Sequence, residues 1–125
     1  MLINIANVLA GLIGVGIILV GVQEIWRPQA SAGFGIPGTP VEDGNFQAWL
    51  SVKAARDIVS GLFIFILLAG ATHHLLGWFM LAATGIPVGD MLTVLRNNGP
   101  KAAAYGVHGA TAAVTLVSSL LLLVA

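Results

Sequence analysis

The chain has 125 residues, of which 58% are hydrophobic and only 8% charged, and its five Lys+Arg balance its five Asp+Glu to a formal charge of +0. Ten charges cannot clothe a soluble globule of this length, in which roughly 25% of residues are normally charged; the composition is that of an integral membrane protein in one domain spanning 1–125. Neutrality excludes a basic nucleic-acid surface, and the lack of cysteine excludes disulfides, thiolate metal sites and thiol catalysis.

From Met1 to Gln23 no side chain is charged, enough for the ~20 residues that cross ~30 Å of hydrocarbon, so a first span is expected over about 3–25. Ala30-Ser31-Ala32 looks like a signal-peptide cleavage site. The start, however, lacks a basic segment, and the apolar stretch is too long for a signal peptide. A Pro/Gly-rich loop follows over 26–49. Its aromatics Trp26, Phe34, Phe46 and Trp49 suit either an anchor at headgroup level or a lid over a cavity.

The next uncharged run, Ile58 to Gly89, has 32 residues. As one straight helix it would be about 48 Å long, too long for a single crossing. It must fold back at Gly70-Ala71-Thr72-His73-His74, which predicts helices over about 50–71 and 74–95. Pro87 should kink the latter and free carbonyls near Asp90. The run Asn97-Asn98-Gly99-Pro100 reads as a helix stop followed by a helix start, placing the last helix at about 101–124. The expectation is an all-α, four-helix membrane bundle.

All five basic residues (Arg27, Lys53, Arg56, Arg96 and Lys101) fall on the side of the 1–2 and 3–4 connections. The positive-inside rule makes that side cytoplasmic and both termini external, as in a multi-pass protein of the cell inner membrane. Glycines on helix 1 and Gly85-xxx-Gly89 fit close packing of helices, within one chain or in a homo-oligomer.

Helical spacing puts Lys53, Arg56, Asp57, Ser60 and Gly61 on one stripe of helix 2, and Lys101, Tyr105, His108, Thr111 or Ala112, and Thr115 on one stripe of helix 4. At 1.5 Å per residue, Asp57, Asp90 and His108 all lie roughly 7–10 Å in from the same side, with Glu24 ending helix 1 nearby. A charge facing lipid costs several kcal/mol, so these groups are expected to face inward and meet. They could form a structural network, Arg56 with Asp90 and Asp57 with His108 or Tyr105. The same atoms could act on a bound small lipophilic molecule: Asp57 or Asp90 as base, His108 or Tyr105 as proton donor, and Arg56 stabilising negative charge. Lys53, Ser60, Gly61, Glu24 and Thr111 would complete the binding wall. No cofactor motif is read. A shared metal or haem site is disfavoured because adjacent His73 and His74 diverge on a helix and sit across the membrane from His108.

Four ordered blocks carry a family resemblance: Gly33-Phe34-Gly35-Ile36-Pro37; Val52 to Gly61 with its Lys53-x-x-Arg56-Asp57 core; Gly85-Ile86-Pro87-Val88-Gly89-Asp90; and Ala104-Tyr105-Gly106-Val107-His108-Gly109-Ala110. The chain resembles a family of small integral membrane proteins known as domain of unknown function 4267. That resemblance implies four membrane helices with the Lys-x-x-Arg-Asp, Gly-Asp and His-Gly blocks as marked positions, and supplies no reaction. An isomerase, cyclase or hydratase acting in the bilayer is the leading functional expectation. A non-enzymatic accessory or structural subunit of a membrane complex is the second. A proton-coupled transporter is third, since helix 1 carries no carboxylate before Glu24.

Overall fold

The computed structural model describes residues 1–125 and is all-helical. Five helices occur: α1 (Leu2–Trp26), α2 (Gly44–Gly70), α3 (His73–Ala83), α4 (Gly85–Arg96) and α5 (Lys101–Val124), with a 3₁₀ segment over Pro28–Phe34. Leu2–Trp26, the continuous rod His73–Arg96 and Lys101–Val124 are each long and apolar enough to cross a membrane.

Two boundaries differ from the sequence expectation. α2 starts at Gly44 and not near 50, because the Asp43 carboxylate caps it by accepting from the Phe46 N–H at 2.9 Å. Gly44 and Asn45 are poor helix formers and disguise that start. The expected third helix is divided at Thr84, which raises the count from four to five. The division lies before Pro87 and not near Asp90: proline has no N–H for the Ala83 carbonyl four residues back. The Thr84 hydroxyl donates to the Met80 carbonyl at 2.9 Å and stitches the joint.

α1 packs along α2 and also against α5, which in turn packs against α3 and α4. The α1–α2 crossing is close because glycine lets the backbones approach. A Cβ on Gly21 would lie 2.8 Å from the Ala54 carbonyl, and one on Gly61 would lie 2.7 Å from the Gly14 carbonyl. Contact between α2 and α3 is short and includes the edge-to-face pair Phe63–Phe79, while α2 and α4 have no substantial contact. The rods are therefore splayed apart on one side.

The two ends of the bundle are built differently. Near the chain termini and the 2–3 turn, Ala6, Ala10, Ile64, Leu76, Met80 and Leu122 form a solid core. Ser118 donates to the Ala6 carbonyl at 3.0 Å and Ser119 to the Gly77 carbonyl at 2.9 Å, tying α5 to α1 and α3. Such side-chain bonds to neighbouring helices act as glue where lipid offers no hydrophobic drive for association. At the other end, where residues 27–43 and 97–100 connect the rods, the interior is hollow.

Candidate functional site

On one wall of the hollow end, the Lys53 ammonium lies 2.6 Å from Glu24 Oε1 and 2.6 Å from Asp57 Oδ2. Lys53 and Asp57 are four apart on α2 and share a face. Glu24 arrives from the last turns of α1, so one cation clasps two helices. Glu24 Oε2 is buried without a hydrogen-bond partner.

On the opposite wall stands His108, buried within a π-helical stretch of α5, Ala104–Gly109. Its Nε2 is 2.8 Å from the Phe34 carbonyl oxygen. A carbonyl only accepts, so Nε2–H donates, and in the neutral ring Nδ1 keeps its lone pair. Nδ1 faces Asp90 Oδ2 of α4 at 4.0 Å, too far for a direct hydrogen bond.

Phe34 links the two walls. Its ring stacks at a tilt on the His108 imidazole, centroids 4.3 Å apart, and the Lys53 ammonium sits 5.7 Å from the ring centre. The 3₁₀ segment delivers Phe34 into the bundle and ends at Gly35, whose φ of +106° suits glycine and whose backbone lies against Val94 and Ala103. Of the loop's aromatics, Phe34 thus points inward, whereas Trp26 and Trp49 stay largely exposed at the rim.

These groups close one end of a cavity of about 730 Å³, within the 300–1,000 Å³ usual for small-molecule sites. From that polar end the lining turns apolar: Leu12, Ile17, Phe63, Phe79 and Ile86 come from α1 to α4. From Glu24 to Leu12 the slot runs about 18 Å at 1.5 Å per residue. The two helices that line it on one side, α2 and α4, have no substantial contact with each other.

The family model of a domain of unknown function, DUF4267, matches residues 14–122. The chain belongs to the DUF4267 family. No curated protein and no solved structure matches it.

In this DUF4267 protein the residues expected at the site are sorted by the fold. Lys53, Asp57, Ser60, Glu24, Asp90, His108 and Thr111 line the cavity. Ser60 and Thr111 spend their hydroxyl protons on the Arg56 and Val107 carbonyls of their own helices. Arg56 does not join them. It is exposed and donates only to the Val52 carbonyl at 3.3 Å, so neither the expected pairing with Asp90 nor a role beside the carboxylates is formed, and Lys53 is the cation there. Tyr105 is also outside, 56% exposed. The π-helical bonding widens the turn, so residues three apart no longer share a face as they would in an α-helix. Gly61 serves the α1–α2 crossing and does not line the cavity. Gly85 and Gly89 touch nothing that a side chain would displace, so they make no close helix contact within the chain.

Phe34 was not among the expected site residues, nor were the apolar slot residues Gly16, Phe63 and Phe79. Glycine on both sides of Phe34 is the available sequence signal, since it permits a chain reversal that turns the ring inward.

Proposed function

We propose that this is a four-helix integral membrane protein that binds a small lipophilic molecule in the cavity and moves protons on it, as an isomerase, cyclase or hydratase does. The observation that carries this reading is the form of the cavity. It is apolar along its length, ionisable at one end, and lined by α2 and α4, which leave a gap between them through which hydrocarbon would reach it. A lipophilic molecule can enter from hydrocarbon without crossing water and bring one end to the polar groups.

The fourth span is α2. Its 27 residues give about 40 Å of helix, more than the ~30 Å hydrocarbon layer. It follows α1 throughout, turns Lys53 and Asp57 inward, and carries Trp49 near its start, where aromatic residues favour the interface. With all five Lys and Arg near the end that holds the connections, that end is cytoplasmic, both termini are external, and the protein is a multi-pass component of the inner membrane.

The chemistry follows from the His108 wall. With Nε2–H held by the Phe34 carbonyl, Nδ1 is the atom that accepts a proton. Asp90, 4.0 Å away, supplies a second site for proton exchange. If one of the two enters protonated, it gives a proton as the other takes one, and the bound molecule is isomerised without net proton uptake. Lys53 steadies negative charge that develops beside it.

A cavity-filling variant tests the binding step. A Cβ on Gly16 would meet nothing within 4 Å, so Gly16→Leu fills the slot without disturbing the helices. Mass spectrometry of protein purified in mild detergent is expected to find a retained lipophilic molecule in the wild type and none in Gly16→Leu. Equal retention by both, or none by either, overturns the reading. For the proton step, membranes incubated in D₂O should place deuterium on carbon of the retained molecule, and His108→Gln should abolish it.

A further inference from the structure

We propose that the head group taken by this cavity is a cationic hydrogen-bond donor, which makes the ligand a lipophilic amine or ammonium compound. This rests on the binding reading above and adds the chemistry of the head. The argument is a count of donors and acceptors at the polar end. Two of the three Lys53 ammonium protons are used, on Glu24 and Asp57 at 2.6 Å each. Acceptors on residues lining the cavity outnumber the one proton left on Lys53: Asp57 Oδ1 and the two oxygens of Asp90 have no hydrogen-bond partner in the chain.

Glu24 makes the imbalance costly. Its side chain is only 9% exposed at the cavity wall, and its Oε2, enclosed by protein, has no donor in the chain, so its negative charge is only half answered by Lys53. A buried acceptor left without a donor loses the hydration it had in water and receives nothing in return. Formal charge points the same way, since with one proton shared between Asp90 and His108 two carboxylates, Glu24 and Asp57, still face one ammonium. A metal ion does not fit, because no three carboxylate or imidazole groups converge closely enough to hold one. A carboxylate or phosphate head would set like charge beside Asp90 and Glu24. An ammonium head brings the missing positive charge together with up to three N–H donors, and charge-assisted bonds of that kind are about twice as strong as neutral ones. The apolar slot of about 18 Å, roughly one leaflet deep, accepts the tail.

Three probes with one tail and different heads decide the matter: dodecylamine, dodecanol and dodecanoate, titrated into the protein in phosphatidylcholine nanodiscs. Gly16→Leu nanodiscs report partitioning into lipid. Slot-dependent binding is expected to be about tenfold tighter for the amine than for the alcohol, with the carboxylate weakest. The double variant Glu24→Gln with Asp90→Asn should flatten that order. Slot-dependent binding without preference for the amine, or with preference for dodecanoate, overturns this proposal and leaves the binding reading standing. No slot-dependent binding of any probe overturns both. The ranking on the wild type suffices even where the double variant fails to fold.

Discussion

The two ends of this bundle use the same four rods for opposite purposes. Near the termini, small and aliphatic side chains fill the space, and the buried serines are bonded to carbonyls of neighbouring helices. Near the connections the rods splay around about 730 Å³, and the polar groups there are only partly matched to one another. Even within the hollow end there is a division. Lys53 is committed to joining α1 and α2, whereas Asp90 and the Nδ1 face of His108 are bonded to nothing in the chain. The packed core and the partly unmatched polar groups thus lie at opposite ends of the rods. The solid end holds the rods at a fixed spacing so that the other end can stay open.

Substitutions at graded positions break or sharpen this contrast. The largest effect is expected from Met80→Ala in the solid end, where Met80 is fully buried. Losing those packing contacts should cost about 3 kcal/mol, read as a lowered unfolding midpoint in SDS titration of bicelle-embedded protein. Lys53→Met should cost about 2 kcal/mol. That is less than the ~3–5 kcal/mol for breaking a fully buried pair, because the Lys53 side chain is 38% exposed. Adding Glu24→Gln should recover part of that loss, which a double-mutant cycle would measure. Asp90→Asn should move stability by about 0.5 kcal/mol or less, while removing deuterium incorporation into the retained molecule. If Asp90→Asn destabilised the fold as much as Lys53→Met, the division between a bonded clasp and an unbonded Asp90–His108 wall would not hold.

Much of this could be read from residue spacing. Asp57, Asp90 and His108 share a depth because each is a similar number of residues from the same boundary, and helical rise converts that count directly into distance. Facing was less legible. Arg56 and Asp57 are neighbours about 100° apart on a helix and cannot both point inward, and only tertiary packing selects Asp57 with its i–4 partner Lys53. Tyr105 was misplaced for a different reason, since a local π-helix leaves no clear mark on hydrophobic periodicity. Cavity shape was not legible at all. It depends on the spread between α2 and α4, which no single segment encodes, although Gly61 and Gly21, by letting α2 lean onto α1, contribute to it.

The bond from His108 to the Phe34 carbonyl joins residues 74 apart in the chain, and that from Ser118 to Ala6 joins residues 112 apart. Both require the last helix to be in place. Because synthesis proceeds from the N-terminus, a nascent chain with only its earlier helices in the bilayer has the Lys53 clasp but neither the imidazole nor the fixed Phe34 carbonyl. The His108–Phe34 contact, and with it the closed polar end of the cavity, therefore forms only once the last helix has joined the bundle.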